Sequence, residues 1–258
     1  MARTIVMIHG FRGTHHGLAL IAAALAPSNT IIPDLPGFAD GATLTRYDLT
    51  SYVRWLHDYI ASLALDQQPI LLGHSFGSII CAAYAVQYPQ TIERLILVNP
   101  IGAPALQGPR RLLTSLAVSY YQIGKWLPER LARSWLSSTI SVMVMSVTMA
   151  KTKHKPTRRY IHDQHRQYFS LFHTARSVYE GFLTSVRHSV LDNASLISMP
   201  TLLIAGDRDD ITPLAKQQHL VKLFPKAQLK VIKGVGHLTH YETPEAVAHL
   251  IQAFIKSE

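Results

Sequence analysis

A single cysteine, Cys81, leaves this 258-residue chain unable to close a disulfide within itself, so its folding does not require an oxidising compartment. Cys81 stands in the apolar run after Ser75, where a small buried packing residue is expected in preference to a reactive thiol. Charge is scarce as well. Asp, Glu, Lys and Arg make up 16% of residues against 48% hydrophobic, which excludes a disordered chain and describes a globular one. No stretch is long and apolar enough to read as a membrane span. The nearest, Trp135 to Ala150, is short and interrupted by serine and threonine, so a buried or interfacial helix is expected there. The opening apolar stretch is too short for the core of a signal peptide and runs into a polar loop, so the expected setting is cytoplasmic. Internal repeats and low-complexity linkers are also missing. The length suits one α/β domain with an insertion, or two small domains.

What is present is an alternation. The runs at 3–9, 29–34, 69–73, 94–99, 201–206 and 229–232 are rich in β-branched residues and leucine, and read as buried parallel strands. Between them, residues 49–65 place Tyr52, Val53, Leu56, Tyr59, Ile60 and Leu63 on one helical face. Thr212-Pro213 and Thr243-Pro244 each read as an N-cap followed by proline at the first helical position. Strands alternating with helices over short connections predict an α/β fold with a doubly wound, mainly parallel sheet. The alternation stops at Pro104 and resumes near residue 196. The organisation expected is therefore a core in two pieces, 1–103 and 196–258, with a helical cap inserted over 104–195. Charge marks the same boundaries. The two core pieces hold 12 Lys and Arg against 12 Asp and Glu, whereas 104–195 holds 13 against 4, the whole net charge of +9.

One pentapeptide, Gly73-His74-Ser75-Phe76-Gly77, carries the first chemical signal. By chance alone a G-x-S-x-G occurs in roughly one chain of this length in ten, so its context decides. It follows a strand and opens a helix over 76–87, which is the setting of a nucleophile elbow. Glycine at 73 and 77 permits the close backbone approach of a strained turn, and the helix N-terminus stabilises negative charge beside the hydroxyl. A serine hydroxyl needs a base, and the base needs an orienting carboxylate. In this strand–turn–helix class the chain order is serine, acid, histidine. The strand at 201–206 runs into Asp207, Asp209 and Asp210, and the strand at 229–232 into His237 and His240. Sites of open α/β sheets gather at such strand ends.

Together with "IHGF" (8–11), "PDLPGFADG" (33–41), "GHSFGS" (73–78), "LLIAGDRDDITP" (202–213) and "GVGHLTHYETP" (234–244), these residues make the chain resemble the α/β-hydrolase superfamily. The branch is that of cap-bearing serine esterases and lipases, C–C bond hydrolases and haloperoxidase-like enzymes. The resemblance implies that the acid falls three residues after Gly206, at Asp209, with Asp207 and Asp210 as fallbacks. It selects His237, after a G-x-G pair, over His240. It makes the backbone N–H groups of Phe11 and Phe76 the donors to an oxyanion, and gives Asp34 a role in loop structure. It implies a serine hydrolase of carboxylic esters, with a C–C bond hydrolase, a lyase-type enzyme or a non-enzymatic ligand receptor as alternatives on the same fold. No cofactor and no metal is expected. Three departures stand out. The sheet is expected to begin at residues 3–9, without two earlier antiparallel strands that many relatives carry. Ser78 replaces a second glycine, and Ser75 replaces the aspartate of dehalogenases and epoxide hydrolases, so those activities are not expected.

The expected partner is a small-molecule ester. The basic insertion contains "PRRLL" (109–113), "KTKHKPTRR" (151–159) and Tyr120, Tyr121, Trp126 and Trp135. Its plain reading is a solvated surface. Its sharper reading is attraction of an anionic substrate or an anionic lipid surface, with the methionine-rich segment 142–149 lining an acyl site. No recognition motif accompanies the charge, so nucleic acid is not expected; the sequence sets no oligomeric state.

Overall fold

The computed structural model describes residues 3–104 and 111–256. Six strands form one parallel sheet: β1 (Thr4–Ile8), β2 (Asn29–Ile31), β3 (Ile70–His74), β4 (Arg94–Val98), β5 (Thr201–Gly206) and β6 (Ala227–Ile232), in the order β2-β1-β3-β4-β5-β6. The reversal of order between β1 and β3 makes it doubly wound. Because successive side chains of a strand point to opposite faces, each central strand feeds two cores. Val6, Ile8, Leu71, Leu95, Leu97 and Leu203 pack on one face, against α2 (Leu49–Ser62) and α3 (Phe76–Gln87). Ile5, Met7, Ile70, Leu72, Ile96, Val98, Leu202 and Ile204 pack on the other. There they meet α1 (Ala19–Ala24) and the C-terminal helix Pro244–Lys256.

Several boundaries differ from the sequence reading. β2 stops at Ile31, because Pro33 has no N–H for a ladder and Asp34 turns to accept from the His15 N–H at 2.6 Å. β6 begins two residues early, its register with β5 running from Thr201↔Ala227. α2 is capped by Asp48, which accepts from the Ser51 N–H at 2.9 Å. It ends at Ser62, so that Tyr59 and Leu63 are only half-buried. Cys81 is fully buried, as a packing residue.

Between β4 and β5 the chain makes α4 (Arg111–Trp126), α5 (Glu129–Leu136), α6 (Thr139–Met149), α7 (Lys155–Tyr168) and α8 (Ala175–Arg187), then two short 3₁₀ turns. The stretch Trp135–Ala150 is not one helix. It breaks at Ser137–Ser138, where the Ser138 hydroxyl oxygen accepts from the Ser141 N–H at 3.2 Å and starts α6 afresh. Residues 109 and 110 of "PRRLL" lie outside the described residues. After β5 come α9 (Leu214–Leu220), α10 (Thr239–Glu242) and α11, the C-terminal helix already described. α11 begins at Pro244, as its sequence suggests. α9 departs from the pattern: Pro213 occupies the N-cap, and Thr212 serves a different residue.

Candidate active site

Ser75 sits between β3 and α3 with φ 53° and ψ −117°, a strained conformation for a residue with a side chain. The turn closes because its glycines admit backbone. A Cβ on Gly73 would lie 2.6 Å from the Gly77 carbonyl oxygen, and one on Gly77 would strike the Ile8 carbonyl. Ser78, in place of a second glycine, accounts for part of the turn's rigidity. Its hydroxyl donates to the Ser75 carbonyl at 2.5 Å and accepts from the Ile101 N–H at 3.2 Å.

The structure brings three of the sequence-predicted residues into a row. Ser75 Oγ lies 2.8 Å from His237 Nε2, and His237 Nδ1 lies 2.8 Å from Asp209 Oδ2. Asp209 is buried at the end of β5, where it also accepts from the N–H groups of Ile211 (2.7 Å) and Thr212 (2.9 Å), from Asn99 Nδ2 (2.8 Å) and from the Thr212 hydroxyl. Burial alone would raise its pKa. The adjacent His237 and these donors reverse that and hold the carboxyl well below the usual range. Thr212 is thus spent on the carboxylate and leaves the cap of α9 to Pro213. Asn99, in turn, has φ 45°, has no exposed surface, and accepts from the Thr239 hydroxyl.

The other candidates stand elsewhere. Asp207 is exposed and accepts from the Gly234 N–H at 2.7 Å; Asp210 is exposed and ion-paired with Lys151. His240 is buried against His74, ring centroids 4.1 Å apart, with no partner on its Nδ1. Burial and the neighbouring imidazoles lower the pKa of both, His74 to about 3. Asp34 holds a loop: it bonds the N–H and Nδ1 of His15. The Phe11 and Phe76 N–H groups are not consumed by any turn, loop or cap bond among the described residues, and both residues line the same cavity as Ser75. Their rings belong to one aromatic cluster, Phe11 packing on Phe38, Phe76, Tyr121 and Phe182 at centroid distances of 5.5 to 6.3 Å.

That cavity encloses about 640 Å³ beneath the helical insertion. Tyr121, Met145, Met149, Phe169 and Phe182 wall it, so the methionine-rich segment contributes Met145 and Met149, while Met143 instead contacts Arg166 outside. A serine–imidazole–carboxylate row opening into an apolar chamber, beside the Phe11 and Phe76 amides, is an arrangement able to attack and hold a carbonyl group.

Comparison with known proteins agrees with this fold. The family described as alpha/beta hydrolase fold matches residues 3–244. Mouse monoacylglycerol lipase ABHD6 is 26% identical, over 98% of this chain and 76% of its own length. Lipase 1 of Psychrobacter immobilis is 24% identical, over 97% and 76%. Among solved structures, a thermophilic esterase from Thermogutta terrifontis superposes with a TM-score of 0.81 at 19% identity, covering 99% of this chain and 90% of the esterase.

Proposed function

The chain belongs to the alpha/beta hydrolase fold family, and on that premise we propose that it hydrolyses carboxylic esters through an acyl-enzyme formed on Ser75. The lipases among its relatives support an ester substrate. The single observation that carries the mechanism is the row Ser75–His237–Asp209, at 2.8 Å per step, facing an apolar chamber. With Nδ1–H donated to Asp209, His237 presents Nε2 as acceptor to the Ser75 hydroxyl. His237 takes the hydroxyl proton as Oγ attacks the ester carbonyl. The Phe11 and Phe76 amides receive the oxyanion. Collapse expels the alcohol, protonated by His237, and leaves the acyl group on Ser75. Water, deprotonated by His237, then attacks the acyl carbonyl; the carboxylic acid leaves and Ser75 recovers its proton. Residues 104–195 act as the cap that roofs this chamber.

The expected outcome for Ser75→Ala is a loss of about 10⁶-fold in turnover of a short-chain p-nitrophenyl ester, together with loss of labelling by a fluorophosphonate. A variant that keeps most of its activity removes this mechanism. A panel of esters graded by acyl length and charge then narrows the substrate.

The finer reading is that the insertion meets anionic lipid. Of the fifteen exposed large apolar side chains among the described residues eleven lie within it, including Leu112, Leu116, Trp126, Ile140, Val144 and Val147, and it carries the net positive charge of the chain. Apolar side chains projecting from a cationic face suit a negatively charged interface.

A further inference from the structure

Among the described residues Arg12 is the largest side chain that is fully buried, 2% exposed, and no ion pair accompanies it. A guanidinium stripped of water without a carboxylate is costly unless other negative charge replaces it. Two helix ends supply that charge. Arg12 Nη2 donates to the carbonyl of Leu136, the last residue of α5, at 2.8 Å; Nε donates to the carbonyl of Phe169, the C-cap of α7, at 2.9 Å. Each helix C-terminus presents unpaired carbonyls and the equivalent of about half a negative charge, so two of them compensate one cation.

The backbone of Arg12 carries the second half of the observation. Residues 10–13 form a tight turn, closed by the Gly13 N–H on the Gly10 carbonyl at 3.0 Å, and Arg12 is its third residue, with φ 56°. Turns with a positive φ at that position ordinarily place glycine there. Here the position is filled by the longest side chain available, and everything that side chain binds belongs to the helical insertion. The residue immediately before it is Phe11, whose amide is the proposed oxyanion donor.

We propose that Arg12 is a positioning residue that couples the seating of the cap to the oxyanion loop. It clamps the C-terminal ends of α5 and α7, and those carbonyls in turn hold the 10–13 turn in the conformation that aims the Phe11 N–H at the reacting oxygen. This rests on the ester-hydrolase reading for its catalytic half only; the clamp itself is a matter of geometry.

The test is Arg12→Gly, which suits the turn's backbone and removes the clamp together with the guanidinium's contacts on Phe172 and Tyr121, with Arg12→Lys as a folded control that keeps the charge but cannot span both carbonyls. Loss of a whole oxyanion donor costs about 10²- to 10³-fold; misaiming one is expected to lower kcat about 10-fold or more, with KM changed far less. Guanidinium chloride, at concentrations too low to unfold the chain, is expected to restore kcat in Arg12→Gly, whereas urea and sodium chloride are not. Independently of activity, hydrogen exchange should quicken at residues 136–139 and 169–172 in both variants. Unchanged exchange there overturns the clamp, and a full kcat in Arg12→Gly overturns the coupling. Failure of fluorophosphonate to label the unaltered protein would strike the ester-hydrolase reading instead, and with it the catalytic half alone.

Discussion

Asn99 shows how much of the site depends on a side chain that never meets the substrate. It ends β4 in a left-handed conformation, donates to Asp209 and accepts from Thr239, partners 110 and 140 residues away. Asn99→Ala leaves the Thr239 hydroxyl unpartnered and the carboxylate one donor short. A buried polar group stranded in this way costs about 1–3 kcal/mol, which is roughly a 5- to 150-fold slowing where the loss falls on the transition state. Timed fluorophosphonate labelling of the variant is expected to slow within that range; labelling at the normal rate would show that Asp209 is held without Asn99. At this scale the sequence was legible where chemistry travels with a local pattern: the elbow around Ser75 by itself, and, through the family resemblance, the aspartate three residues after Gly206 and the histidine after Gly236. Asn99 and Arg12 have no such pattern, since each is defined by what it touches far along the chain. Thr212 carried a local pattern that pointed the wrong way, because a buried carboxylate competes for its hydroxyl more strongly than a helix end does.

Among elements, the strands were legible because both their faces are buried, which makes their apolar runs nearly continuous. The shortened β2 and the break inside Trp135–Ala150 were not, because a proline at a sheet edge and a serine cap act against an apolar run whose composition continues past them. The exposed stripes are equally a property of elements. On α4, Ala117 and Tyr121 face the chamber while Leu112, Leu116 and Ile123 face outward; on α6, Met145 and Met149 face the chamber while Ile140, Val144 and Val147 face outward. If the outer stripes meet lipid, replacing Ile140, Val144 and Val147 together by serine should abolish co-sedimentation with phosphatidylglycerol vesicles. Hydrolysis of a water-soluble ester should be untouched. The unaltered protein should also release the vesicles as salt is raised to about 0.5 M. Equal binding to uncharged phosphatidylcholine vesicles would argue against a role for charge.

Across the whole molecule, four of the five histidines buried among the described residues set the response to acid. His9, His74, His165 and His240 are nearly inaccessible, and burial lowers each pKa below 6.5, with His74 and His165 reaching about 3. An unfolded chain protonates these imidazoles sooner than the folded one does. Below about pH 6.5 the unfolded state therefore gains protons first, and stability present at neutral pH is lost as pH falls toward the folded values. Each such group contributes a slope of about 1.4 kcal/mol per pH unit. Urea midpoints are expected to fall steadily between about pH 6.5 and pH 5, and a flat profile over that interval would contradict the neutral burial of these rings.

Placing all the surplus positive charge in one inserted segment, with none left over in the sheet domain, also polarises the molecule. Near a negatively charged interface such a body experiences a torque before it makes any contact, and within about 10 Å at ordinary ionic strength that torque turns the insertion toward the interface. Approach would then begin already oriented, with the insertion leading and the rotational search shortened.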